Sequence, residues 1–123
     1  MTMTDEAPVV DLPIIEGLRA LQNEREPALV AELVDEFLAR APQRIARMQA
    51  ALTAGDAAAL EFEAHGLAGS CGVLGVLRLR IRCRDVEELA KKGELGKASA
   101  ALDEVNRSLT EARPVLLEAA RRG

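Results

Sequence analysis

The sequence is poor in several residue types on which whole classes of protein depend. Aromatic residues make up only 2% of the 123 residues, Trp and Tyr are absent, and the chain has one His. A core without large rings must be filled by Leu, Val, Ile, Ala and Met, which suits close helix packing. A lone His cannot complete an ordinary metal site, and no nucleophile is paired with a base. We therefore expect no metal site, and a hydrolase or metal enzyme is disfavoured.

The chain also lacks an excess of basic residues and long apolar runs. Its formal net charge is -4, whereas proteins that grip a nucleic-acid backbone usually carry a strong basic excess. Apolar runs stay well short of the roughly 18 residues needed to cross a bilayer, and the amino terminus has no basic flank or apolar signal core. We expect a cytoplasmic protein that binds neither nucleic acid nor membrane.

Two cysteines are present, Cys71 and Cys83, at a spacing typical of neither a redox pair nor a zinc site. Buried thiols behave as small hydrophobic residues in a reducing compartment, so we interpret both as core residues. A regulatory disulfide between them is the alternative.

Hydrophobic periodicity predicts an all-α protein. Residues 1–10 show no periodicity and contain Pro8, so we expect a flexible leader before a domain spanning residues 11–120. A short helix should begin near Asp11 and lie as a lid across four longer helices. Its predicted apolar side consists of Ile14, Ile15, Leu18 and Leu21. Apolar residues recur along each longer helix in steps of three and four, which gives each helix one apolar side. Such helices, joined by short loops, predict an antiparallel up-and-down four-helix bundle.

Helix start and stop signals place the boundaries. Asp11 and Asp56 are suited to capping the first and third helices, and glycines follow the ends of the longer helices. Pro42 interrupts the second helix, but its apolar stripe continues in phase, so we expect one kinked helix and not two. The longer helices are expected to start at Pro27, after Asp56, after Gly75 and near Leu95, with Gly55 and Gly93 as stops.

His65 stands out on the predicted third helix. It lies about 140° from the centre of the apolar stripe, at about 100° per residue, so its imidazole should face solvent. Small residues surround it, although each helix-interior glycine costs about 1 kcal/mol relative to Ala. We interpret the lack of large side chains around His65 as space for the close approach of a partner protein. The alternative is a frayed helix end that carries a surface His. These small neighbours are Gly66, Ala68, Gly69 and Gly72.

Residues 64–70 read Ala-His-Gly-Leu-Ala-Gly-Ser and resemble the signature Ala-His-x-Leu-Lys-Gly-Ser of the histidine-containing phosphotransfer (HPt) domain family. The resemblance extends over about residues 12–118. It includes the family's Phe-Leu-x-x-x-Pro and Gly-Asp landmarks, its turn glycine, its Leu-x-x-x-Cys core and its Leu-Glu pair. These are matched by residues 37–42, Gly55 with Asp56, Gly75, Leu79 with Cys83, and Val86 with Glu87.

The resemblance implies a function in phosphorelay signalling. Family members are antiparallel four-helix bundles whose exposed His exchanges a phosphoryl group with aspartates of response-regulator receiver domains, which implies this role for His65. An acidic or amide residue twenty-two positions after the His orients the ring in the family, and here that residue is Glu87. A plain surface ion pair between Glu87 and Lys91 is the alternative role for this Glu.

The resemblance also implies partners and cofactors. The partners would be receiver domains and a sensor or hybrid histidine kinase. No cofactor is expected in the chain itself, because Mg²⁺ and most of the transfer chemistry would come from the partner. Such a domain is a phosphocarrier and not an enzyme, and we expect a monomer.

The sequence departs from the family pattern at Ala68, where most members have Lys. Substitute positive charge for the phosphoryl oxygens is expected from the fourth helix. A docking surface for the partner should surround His65, with Phe62 as an exposed aromatic residue, unless Phe62 packs under the first helix. The proposed phosphoryl-stabilising residues are Lys91, Arg84 and Arg80, and the proposed docking residues are Ala58, Phe62, Gly66, Ala68, Gly69 and Gly72.

Two other functions remain open at this stage. A binding-only adaptor could retain the bundle and lack transfer because of Ala68. A phosphoacceptor domain of a chemotaxis-type histidine kinase would instead be phosphorylated from ATP by a kinase domain. The sequence contains no ATP-binding segment, which favours a free-standing carrier, and a domain excised from a longer protein is the alternative, since it would look the same.

Overall fold

The protein is described here by a computed structural model, which covers residues 7–122. Within these residues the structure has five helices and no strand, which confirms the predicted all-α class. The helices are α1 (Leu12–Arg19), α2 (Leu29–Ala54), α3 (Ala57–Leu74), α4 (Leu77–Lys91) and α5 (Leu95–Arg121). None of these helices is long and apolar enough to cross a membrane.

The turns between the long helices follow local chemistry. Gly55 ends α2 and Gly75 ends α3 with φ values of 69° and 66°, in the left-handed region that favours glycine. Asp56 caps α3, because its Oδ1 accepts a hydrogen bond from the Ala59 N–H at 3.0 Å. Asp11 precedes α1 as predicted, but its side chain makes no capping hydrogen bond.

The long helices form a closed bundle in which α2 packs on α3, α3 on α4, α4 on α5 and α5 on α2. Each buries one apolar side, as the periodicity predicts. Both Pro42 and Pro114 lie inside continuous helices, so α2 is one helix and not two. Cys71 and Cys83 are fully buried free thiols, as predicted for core residues. A hydrogen bond with Cys71, together with burial, raises the pKa of Cys83 well above its ordinary value.

The amino-terminal region differs from the prediction in two respects. The predicted leader lies mainly outside the described residues, but Val10 is buried and the Asp11 N–H donates to the Gly75 carbonyl at 2.7 Å. Packed structure therefore begins before residue 11. In α1, only Ile15 is fully buried, whereas Ile14 is exposed, so the short helix has a narrower apolar side than predicted. Helix α1 contacts α2 and α3, as expected for a lid.

The second helix also starts later than predicted. Residues 27 and 28 form a turn, and α2 begins at Leu29 and not at Pro27. The Gln22 side chain accepts a hydrogen bond from the Val30 N–H at 3.0 Å, so the loop before α2 satisfies one of its free amide groups.

Candidate functional site

His65 lies in the middle of α3 with its side chain 67% exposed. Its neighbours Ala64 and Leu67 are fully buried, so the same turn of helix that anchors α3 in the core turns the imidazole outward. The ring is therefore held on a rigid element and is open to another molecule. This exposure agrees with the orientation predicted from the apolar stripe.

The imidazole of His65 is held from one side by α4. Its Nδ1 lies 2.8 Å from Oε2 of Glu87, a carboxylate that is only 5% exposed. The structure thus brings together the two residues on which the sequence prediction placed the chemistry. A buried oxygen acceptor at hydrogen-bond distance fixes the orientation of the ring much more firmly than solvent would.

The protonation of this pair follows from its electrostatics. Burial raises the pKa of Glu87, but the hydrogen bond from His65 and the charges of His65, Lys91 and Arg84 outweigh it, so the pKa lies below its ordinary value. An ionised carboxylate can only accept hydrogen bonds. The proton of the neutral imidazole must therefore be on Nδ1, which leaves the Nε2 lone pair free on the exposed edge of the ring.

Two of the three predicted cations of α4 surround Glu87. Arg84 Nη1 lies 3.3 Å from Oε1, and Lys91 Nζ lies 3.8 Å from Oε2. These contacts balance the charge of the buried carboxylate. Arg80 lies nearer the start of α4. Its guanidinium carbon is 3.9 Å from the position that a Cβ on Gly72 would take. The structure therefore does not bring Arg80 to Glu87.

The predicted docking residues divide into three groups. Ala58, Phe62 and Gly69 are exposed, and Phe62 is 73% exposed, so it does not pack under α1. Nothing lies within 4 Å of the position that a Cβ on Gly69 would take, so this part of the helix is open. A shallow depression beside the imidazole is lined by Ala58, Glu61, Phe62, His65, Glu87 and Lys91.

The prediction that Ala68 belongs to the docking surface is wrong. Ala68 is fully buried, and it lies on α3 between His65 and Gly72, which both face α4. The Lys that most family members have here is thus replaced by a residue that fills core space and carries no charge.

Two of the bare positions are covered by arginines of the chain itself. The guanidinium of Arg44 occupies the space where a Cβ on Gly66 would be, with Nη1 only 2.3 Å from that position, and Arg80 lies beside Gly72. Gly66 and Gly72 are both partly buried. At Gly66 the absence of a side chain therefore makes room for the Arg44 guanidinium of α2, whereas at Gly72 a Cβ would be in ordinary van der Waals contact with Arg80 of α4. The docking roles of Gly66 and Gly72 stay predictions.

Sequence reasoning missed a second buried carboxylate near the site. Glu63 lies two residues before His65, is 7% exposed and faces α2. Arg47 Nε donates to both of its oxygens, at 2.9 and 3.0 Å, and Arg44 Nη1 lies 3.7 Å from Oε1. The signal was a charged residue at heptad-like spacing between Leu60 and Leu67, which indicates an ion pair inside the bundle.

No group of three or more potential metal ligands occurs within residues 7–122.

Comparison with known proteins identifies the family. The profile described as "Hpt domain" matches residues 32–114, which is more than half of the chain. The chain belongs to the Hpt domain family. The described structure is also similar to histidine-containing phosphotransfer protein B (HptB) from Pseudomonas aeruginosa PAO1, with 29% identity and a TM-score of 0.85 over 95% of this chain and 98% of that one.

A second solved structure shares the Hpt fold. It is a rice protein proposed to be a histidine-containing phosphotransfer protein, and it is 19% identical with a TM-score of 0.79 over 93% of this chain and 85% of that one. No curated protein sequence matches the chain significantly. Membership of the Hpt family makes the chain a phosphocarrier of two-component phosphorelay signalling, a system in which Hpt domains interact with response regulators and kinases.

Proposed function

We propose that His65 is the phosphoacceptor of this Hpt domain and exchanges its phosphoryl group with an aspartate of a receiver domain. The observation that carries the proposal is the exposed imidazole, whose Nδ1 is held 2.8 Å from the buried carboxylate of Glu87. The arrangement leaves Nε2 as the nucleophile. An activated nucleophile of this kind needs an oriented ring and an open approach, and the hydrogen bond to Glu87 and the exposure of the imidazole support both.

The proposed transfer step needs no other catalytic side chain of this protein. Nε2 of His65 attacks the phosphorus of the receiver's aspartyl phosphate, the P–Nε2 bond forms, and the bond from phosphorus to the aspartate oxygen breaks. The aspartate leaves as a carboxylate. The proton on Nδ1 stays in place, and the ring gains positive charge, which the Glu87 carboxylate stabilises across the 2.8 Å hydrogen bond. The reverse transfer follows the same path.

The partner supplies the remaining stabilisation in this proposal. A phosphoryl group in transfer carries charge on its equatorial oxygens, and this charge is usually neutralised by metal ions and cationic side chains. We propose that Mg²⁺ is held by the receiver, so that the Hpt domain needs no cofactor. Arg84 and Lys91, each about half exposed, add positive potential on the α4 side of His65.

Docking would use the exposed residues on the same side of the bundle. Phe62 offers an apolar side chain one turn from His65, and Gly69 offers an open stretch of backbone on the other side of it. Exposed aromatic residues next to small ones are typical anchors of protein interfaces. We propose that a monomeric Hpt domain presents this face to its receivers in the cytoplasm, as expected from the sequence.

Phosphotransfer profiling tests the proposal. Receivers of the same source, labelled with ³²P on aspartate, are incubated with the wild type and with His65→Gln. We expect label on the wild type, in an acid-labile and alkali-stable form typical of phosphohistidine, and none on His65→Gln. Because the chain has one His, the variant is a complete control. Receivers that bind the wild type but never transfer label to it would contradict the proposal and leave a binding function alone.

A further inference from the structure

Arg44 is placed beside the phosphoacceptor by an unusual contact. Its guanidinium packs against the backbone of α3 at Gly66, the residue after His65, where a Cβ would lie 2.3 Å from Nη1 and 2.9 Å from the guanidinium carbon. Only glycine leaves this space. The side chain is 29% exposed, so Arg44 is not sealed inside the bundle.

Arg44 is also bound weakly enough to change partners. Both it and Arg47 lie next to the buried carboxylate of Glu63, but Arg47 makes two short hydrogen bonds at 2.9 and 3.0 Å, whereas Arg44 is 3.7 Å away. Charge-assisted hydrogen bonds are much stronger than an ion pair at such a distance. Arg47 can therefore neutralise Glu63 alone, and moving Arg44 costs little.

The orientation of the imidazole makes Arg44 relevant to the phosphoryl group. Nδ1 of His65 points to α4, where Glu87 binds it, so Nε2 lies on the edge of the ring that faces away from Glu87. A phosphoryl group on Nε2 would extend away from the cations that surround Glu87. Arg44 and Arg47 are cations of α2, on the other side of α3, and Arg44 is the one that packs against Gly66, next to His65.

We propose that Arg44 binds the phosphoryl oxygens of phosphorylated His65, that Gly66 makes room for its guanidinium beside the histidine, and that the weak contact with Glu63 leaves the guanidinium able to turn to these oxygens. Arg44 thereby supplies the charge that the buried Ala68 lacks. The planar fork of a guanidinium matches two phosphoryl oxygens, so the phosphorylated state gains hydrogen bonds that the unmodified state does not have. This inference rests on the proposed role of His65.

The equilibrium of phosphotransfer measures this binding directly. A receiver labelled on aspartate is mixed with each Hpt variant until the distribution of label is constant. The ratio of phosphohistidine to phosphoaspartate then reports how strongly the Hpt domain stabilises its own phosphoryl group. Loss of one charge-assisted contact in Arg44→Ala should lower this ratio about tenfold relative to the wild type.

Two further variants separate position from charge. Gly66→Ala keeps Arg44 but pushes its guanidinium out of place, so it should lower the ratio as Arg44→Ala does, although an Ala in the helix interior stabilises the fold by helix propensity. Arg40→Ala removes the same side chain one turn earlier on α2, where Arg40 is exposed and pairs with Glu36. This control should leave the ratio unchanged. A thermal unfolding curve of each variant shows that the fold is retained.

A spectroscopic measurement gives an independent readout. The side-chain ¹⁵N resonances of Arg44, assigned by their loss in Arg44→Ala, should shift when His65 is phosphorylated, and those of Arg40 should not. If the wild type carries label but Arg44→Ala and Gly66→Ala give the wild-type ratio, or if Arg40→Ala lowers it equally, the role of Arg44 is refuted. If the wild type carries no label at all, the proposed role of His65 itself fails.

Discussion

The two sides of His65 are built from the same parts and differ in what those parts contact. On the α4 side, Glu87 is buried with Arg84 and Lys91 around it, and on the α2 side, Glu63 is buried between α3 and α2 and paired with two arginines. Only Glu87 accepts a hydrogen bond from the imidazole. A buried carboxylate with two cations can thus have either of two roles. Glu87, on α4, orients the nucleophile, whereas Glu63, on α3, binds arginines of α2.

The strongest test of this comparison removes each carboxylate in turn. Glu87→Ala should lower the transfer rate about 10- to 100-fold, by analogy with metal-bound histidines, where loss of the carboxylate that orients the ring has an effect of this size. Glu63→Ala should change the rate only a few-fold, since Glu63 does not contact the ring. Rapid-quench measurement of label transfer from a receiver gives both rates.

The matched variant Glu87→Gln sharpens that test. A Gln side chain can still accept a hydrogen bond from Nδ1 through its amide oxygen, so this variant should transfer faster than Glu87→Ala. Equal rates for Glu63→Ala and Glu87→Ala would show that the two sides do not differ in the way described.

A second prediction concerns the exposed face of α3. Phe62→Ala should weaken receiver binding about tenfold, because truncating an exposed aromatic anchor typically costs more than 1 kcal/mol of binding free energy. The free energy of unfolding should hardly change, since the side chain is 73% exposed. Titration calorimetry with the unphosphorylated receiver gives the dissociation constant.

Val73 provides the control for Phe62. It is also an exposed apolar residue of α3, at 53% exposure, but it lies two turns beyond His65 in the groove between α2 and α3. Val73→Ala should bind the receiver like the wild type. If Val73→Ala weakened receiver binding and Phe62→Ala did not, the docking surface would lie on the α2 side of α3 instead.

The smallest expected effect is the pH dependence of stability. The pKa of Glu87 is lowered in the folded protein, so this group stabilises the fold above its unfolded pKa, and the stabilisation is lost as the pH falls through the folded pKa. The difference in unfolding free energy between the wild type and Glu87→Gln should therefore shrink on acidification below about pH 4.3. Urea unfolding between pH 3 and 7 measures it. A difference that grows as the pH falls below about 4.3 would contradict the assigned charge state.

Local signals in the sequence predict most of the fold. Capping residues, the glycines at helix ends and the apolar stripes depend on interactions within a helix, and the structure confirms Gly55, Asp56 and Gly75 as boundaries. The family spacing places Glu87 opposite His65, and the structure brings the two side chains together. These features are encoded over short distances or in a pattern of fixed length.

Features that depend on two helices at once were not predictable in the same way. Ala68 and Gly69 are both small residues next to His65, and only the approach of α4 buries one and leaves the other open. Similarly, Gly66 looks like a site for a partner until Arg44 of α2 is placed on it. Helical periodicity predicts the direction in which a side chain points, but it does not predict which residue of another helix packs against that position.

The contact between Gly66 and Arg44 links the evolution of two positions on different helices. A larger residue at position 66 would displace the guanidinium, and a short residue at position 44 would remove the reason for a glycine that otherwise weakens the helix by about 1 kcal/mol. Substitutions at the two positions should therefore co-vary among related chains. A relative with Ala or Ser at position 66 should then need a different residue to neutralise its phosphorylated histidine.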